Sequence, residues 1–209
     1  MKNLFSLDNP FIQLLSRVGD MIIVKFLCLL CSLPIITAGA AISASHRIMQ
    51  DIVLDNEGSI FKTFFRVFKE NFKQSTLVWI MELIILVSLA CDAFLVFNFF
   101  PGSKVMYVLL AVLAFLVLCV CAHMIPLLIR YQNGLRQHLS NAMVLAVIRL
   151  PRTVAMVVMS ALPLIVLVLD INVFLQTLVF WLFIGFAFIA YMNMFLYKGI
   201  YGKLEAGKK

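Results

Sequence analysis

Apolar residues in this chain come as long unbroken runs, not in the alternations of a soluble core. Runs at Ser75–Phe100, Val105–Ile129, Thr153–Leu169 and Val173–Tyr197 each predict a helix. At about 1.5 Å per residue each can cross roughly 30 Å of hydrocarbon, the third only barely. Pro101-Gly102-Ser103 and Asp170-Ile171-Asn172 read as tight turns, so the four runs pair into two helical hairpins.

The opening run is harder to read. Residues 31–47, CSLPIITAGAAISASHR, put a proline and a patch of small residues after a greasy segment. As one span, roughly 22–44, it places the N-terminus outside. As two, 19–33 goes out, the chain breaks at Pro34–Gly39, and 40–54 returns. Proline removes a helical hydrogen bond and biases the preceding residue away from helix. Small residues let a short returning helix pack closely. The second reading gives six crossings in an all-α membrane bundle, the first gives five.

Charge favours six. With the N-terminus in the cytoplasm, every lysine and arginine among the seventeen except Lys104 lies on or snorkels towards one face. That is the positive-inside pattern. It predicts a multi-pass membrane protein with both termini cytoplasmic. Against it, His46 and Arg47 fall well before the end of the second rod.

Amphipathic segments lie between the hairpins. In SIFKTFFRVFKENFKQ, Phe61, Phe64, Phe65, Phe68 and Phe72 share one side at helical spacing. Lys62, Arg66, Lys69 and Lys73 follow the same period beside them. This predicts a helix in the headgroup layer, its phenylalanines in the acyl boundary and its cations on anionic lipid or a partner. In NGLRQHLSNAMVLAVIRLP, Leu135, Leu139, Ala142, Met143, Ala146 and Val147 make a similar stripe. Asn9 can cap an earlier helix with Pro10 at its first position. The single domain, 1–209, thus reads as three units of interfacial helix and hairpin, about 9–54, 59–130 and 135–198.

Composition agrees. The chain has 209 residues, 64% hydrophobic and 13% charged, against about 45–50% and about 25% in soluble domains. Its net charge of +7 sits at the edges of the apolar runs, so it points to lipid and not to nucleic acid. Cys28 and Cys31 form a CxxC inside an apolar run, but no second pair or histidine stands at metal-ligand spacing. No metal or cofactor is expected.

Four quoted stretches resemble the YesL-like family of small bacterial membrane proteins. They are NPFIQLLSRVGDMIIVKFLCLLCSLPIITAGAA, FFRVFKENFKQST, IPLLIRYQNGLRQHLSNAMVLAVIRLPRT and YMNMFLYKGIYGKLE. The resemblance supplies no catalytic residues. Its members are often encoded beside carbohydrate importers and their regulators. It therefore implies an accessory role in sugar uptake, with importer subunits as partners.

Polar residues at membrane depth are the remaining candidates, since each is costly there. Glu82 and His123 fall at similar depth on antiparallel spans, where the geometry allows a contact that would offset the desolvation of both; Asn193 lies in nearly the same layer. Asp92 is deeper, within reach of Lys104. They read either as a proton- or cation-coupled path for a small carrier or channel, or as interhelical hydrogen bonds that fix register. Gly202-Lys203 completes no P-loop, and neither HExxH nor GxSxG occurs, so an enzyme is not expected.

Overall fold

The computed structural model describes residues 10–206 apart from 55, 57 and 132, with side chains from Leu15 to Lys198 except at 168 and 183. Residues 1–9 and 207–209, and with them the Asn9 cap and Lys2, Lys208 and Lys209, lie outside the described residues. The described chain is all helix. α1 is Pro10–Cys31, α2 Ala38–Val53, α3 Ile60–Glu70, α4 Phe72–Phe99 and α5 Lys104–Arg130. α6 is Leu135–Ile148, α7 Leu150–Leu169, α8 Ile171–Gln176, α9 the single turn Leu178–Phe180, and α10 Phe186–Ala206. Among the described residues three helices are long and apolar enough to cross a membrane: Phe72–Phe99, Lys104–Arg130 and Leu150–Leu167.

α4 and α5 form the expected hairpin. Gly102 turns it with φ +87°, a conformation that suits glycine, and the Tyr107 ring packs on Phe97 at 5.2 Å. Most side chains on the distal two-thirds of both helices stay exposed, among them Ile84, Val87, Phe94, Val105, Val112 and Leu116. Their helical backbones are satisfied internally, so only lipid or other apolar surface suits these faces. The core lies at the other end, around Val78 of α4 and Met124, Leu127 and Leu128 of α5.

α2 occupies the centre of that core. Ala38, Gly39, Ala40, Ala41, Ser43, Ala44 and Ser45 are all buried. The break before it falls at Pro34, as expected, and a short 3-10 turn, Ile35–Thr37, leads into the helix. Thr37 Oγ1 donates to the Cys31 carbonyl at 2.6 Å, satisfying an acceptor freed by the end of α1.

The break, however, does not reach the far side of the bundle. Trp79 Nε1–H donates to the Ile35 carbonyl at 2.9 Å. Trp79 lies roughly 10 Å along α4 from its start and roughly 30 Å short of its end. Gly39 sits in the same place: a Cβ there would meet the Ser75 carbonyl oxygen and Trp79 Cβ, each at 2.5 Å. The C-terminal end of α2 lies against α10, where Lys198 Nζ donates to the Val53 carbonyl at 3.1 Å. α2 thus packs among other helices at the end of the bundle that holds the core, unlike the returning rod over 40–54 that the six-crossing reading expects. The reason is side-chain size: a face of alanine, glycine and serine is narrow enough to be enclosed by α1, α3, α4, α5 and α10.

Two further expectations change. The last span, 173–197, is not continuous: it breaks at Thr177, and a π turn over Trp181–Gly185 precedes α10. Thr177 Oγ1 donates back to the Val173 carbonyl at 2.7 Å, a local bond that competes with helix propagation. The first unit has no separate interfacial helix, because α1 runs unbroken from Pro10 to Cys31.

Candidate functional site

The intramembrane candidates do not converge. His123 is fully buried on α5. Its Nε2 lies 2.8 Å from Thr153 Oγ1 on α7, and its Nδ1 is engaged by the Tyr197 hydroxyl of α10. Thr153 Oγ1 also lies 3.2 Å from the Arg149 carbonyl. Three protons serve four contacts here. With Tyr197 O–H donating to the Ala122 carbonyl at 2.9 Å, Nδ1–H donates to the Tyr197 oxygen and Thr153 O–H to Nε2; with Tyr197 O–H donating to Nδ1, Nε2–H donates to Thr153 and Thr153 O–H to the Arg149 carbonyl. Both ring nitrogens are thus occupied by Thr153 and Tyr197, and Glu82 is not among the partners of His123. The network ties α5, α7 and α10 together.

Glu82 is buried on α4, and its Oε1 has no hydrogen-bond partner. Asn193 Nδ2 donates to Ser160 Oγ at 3.0 Å, an α10–α7 link of the kind expected for register. Asp92 is half-buried, and no ion pair joins it to Lys104 among the described residues. Asp170 caps α8, accepting from the backbone N–H of Asn172 at 2.8 Å. The CxxC cysteines are free thiols, and no group of metal ligands occurs among the described residues.

The amphipathic helix behaves differently from expectation on its apolar side. Phe64 and Val67 of α3 are buried in the protein core, and the Phe64 and Phe68 rings stack with centroids 6.3 Å apart. Phe61 and Phe65 remain exposed, beside exposed Lys62, Arg66 and Lys69. α3 is therefore held by protein on one face and presents a mixed aromatic and basic face on the other. Lys73 is exposed at the start of α4. In α6 the buried stripe is His138, Ala142, Leu145 and Ala146, whereas Met143 and Val147 point outward. The expected stripe is rotated because His138 takes an inward position.

Where α2, α3, α4 and α5 meet, a cleft of about 870 Å³ opens, with Arg47, Arg66, Glu70, Gln74 and Arg130 on its walls. Arg47 Nε lies 3.4 Å from Asp51 Oδ2 within α2. Gln74 Nε2 donates to the Asn133 carbonyl at 2.8 Å and so pins the segment that follows α5. Sequence reasoning found the basic period of α3 but not this cleft. The signal was the early Arg47, which belongs on a cleft wall and not inside a spanning rod.

Residues 21–93 match the model of a family described as "Protein of unknown function, DUF624", in which YesL-like proteins are placed. No curated protein and no solved structure matches the chain. The matched segment covers the second half of α1, then α2, α3 and most of α4, the part that builds the buried core and one wall of the basic cleft.

Proposed function

We propose that this chain is an accessory component of a bacterial cell membrane that docks a cytoplasmic partner through the basic end of its bundle. The carrying observation is the cleft between α2 and α5, where Arg47, Arg66 and Arg130 gather, continued by exposed Lys62, Lys69 and Lys73. Such a surface favours acidic protein segments and anionic headgroups. The positive-inside tendency puts it in the cytoplasm. The link to carbohydrate uptake rests on the family resemblance, which makes importer subunits the first partners to test.

In this reading the membrane is crossed five times, by α1, α4, α5, α7 and the segment α8 to α10. α2 stays at the cytoplasmic end. Lys25 supports the path of α1: its Nζ lies 5.2 Å from the centroid of the Phe186 ring. Phe186 is roughly 16 Å along α10 from Tyr197, away from the basic end. α1 therefore climbs away from the Trp79 level as it is followed back from the break. The C-terminus then lies in the cytoplasm and the start of α1 across the membrane.

The test is recovery of partners from a mild detergent extract of native membranes. Joint Arg66→Glu, Lys69→Glu and Lys73→Glu is expected to abolish recovery, and Glu82→Gln to leave it intact. Unchanged recovery with the triple reversal contradicts docking. The second reading, a proton- or cation-coupled carrier, draws on the unpartnered Glu82 oxygen. It predicts the opposite ranking in a proteoliposome flux assay.

A further inference from the structure

Five helices leave a cavity of about 390 Å³ between them, away from the basic cleft. Its polar wall is Lys25 of α1, Ser45 and His46 of α2, Ser160 of α7 and Asn193 of α10. Its apolar wall includes Ile125 of α5, Val157 and Leu164 of α7, and Phe186 and Ile189 of α10. The volume falls in the range of small-molecule sites, about 300–1,000 Å³, and the mix of greasy walls with a few convergent polar groups is typical of them.

Two features say what chemistry fits. First, Lys25 has no carboxylate partner among the described residues; its contact is the Phe186 ring. An ammonium at this depth is unfavourable without a counter-charge, and a ring face offsets only part of that. His46 Nδ1 and Asn193 Oδ1 are also buried without hydrogen-bond partners. Second, the rim is apolar. Leu118 and Leu164 line the cavity yet stay 39% and 63% exposed. Leu118 sits midway along α5 and Leu164 about 7 Å from the end of α7, both within helices read as crossing the bilayer, so the mouth faces acyl chains and not water. A neutral sugar would leave its hydroxyls against apolar walls.

We propose that this cavity holds the head and upper chain of an anionic amphiphile, carboxylate- or phosphate-headed, with Lys25 as its counter-ion. Such a ligand enters sideways from the bilayer. Its charge settles between Lys25 and His46, and its chain runs along Ile125, Leu164 and Phe186. The site is independent of the docking surface, so either can fail alone.

The test uses the full chain in phosphatidylcholine nanodiscs with a diazirine-bearing palmitate and its methyl ester. The acid is expected to label peptides from 156–164 or 186–193 saturably, and the ester only at background. Lys25→Gln is expected to weaken labelling by about tenfold or more, the loss typical of a charge-assisted contact, while Lys25→Arg retains it. Ala161→Phe, which fills the cavity without altering charge, serves the same end if Lys25→Gln does not insert. Competition by oleate identifies a free acid as the ligand, and competition by phosphatidylglycerol a lipid headgroup. Competition by neither, equal labelling by acid and ester, or adducts mapping elsewhere overturns the proposal.

Discussion

Gly39 sets how closely α2 approaches α4. A methyl group there would meet the Ser75 carbonyl oxygen, and a backbone atom cannot swing aside. Gly39→Ala should gain helix propensity yet lose more to overpacking, a net loss of about 1–2 kcal/mol. Thermal unfolding in detergent checks this, with Gly134→Ala as the control, because nothing lies within 4 Å of a Cβ added there. His138 makes a second prediction. It is fully buried on α6, and burial pushes its imidazole pKa below the ordinary value. The unfolded chain then binds the proton more readily than the folded one. Stability contributed by α6 is thus present above about pH 6.5 and falls as pH drops below it. Amide exchange across α6, corrected for intrinsic rates, should rise between pH 7.5 and 5.5, and His138→Gln should flatten that rise. Neither residue announces its role in the sequence. Gly39 is visible as one small residue among several, but its contact partner is not. His138 interrupts an apolar stripe that, read by hydropathy alone, turns the helix the wrong way.

At the level of elements, the long hairpin of α4 and α5 and the basic period of α3 are legible, because hydropathy and helical spacing act within one segment. The position of α2 is not. Proline and small residues mark its start, but whether a short apolar helix spans or packs across depends on what surrounds it. His46 and Arg47 were the readable sign, since a spanning rod would have had to bury both. The π turn at Trp181–Gly185 was also hidden: an added Cβ on Gly185 would strike the Trp181 ring, a contact that no periodicity shows. The three-helix network around His123 gives the prediction at this scale. Tyr197→Phe removes the hydroxyl that engages His123 Nδ1 and leaves a buried ring nitrogen unsatisfied. A loss of about 1–2 kcal/mol is expected. Unfolding in mixed micelles should report it, together with faster exchange in α7 and α10. No change would mean that the network does not join those helices.

For the whole molecule, the break before α2 and the basic cleft lie at the same end of the bundle. The charge argument reached the opposite arrangement by counting Arg17 and Lys25 as cytoplasmic. The structure uses Lys25 in another way, against Phe186 beside a cavity. Charge counting sees the number of cations but not which of them are held inside the bundle, and on the reading proposed above the first crossing runs the other way. Pulsed electron spin resonance tests the arrangement without assuming which side is which. Nitroxides are placed pairwise at Leu33, Lys73 and Ser103 in a cysteine-free chain reconstituted in nanodiscs. A Leu33–Ser103 separation of about 30 Å or more and a Leu33–Lys73 separation below about 20 Å are expected. The reverse order, with Leu33 close to Ser103, would contradict that arrangement and restore a first hairpin that crosses the membrane twice.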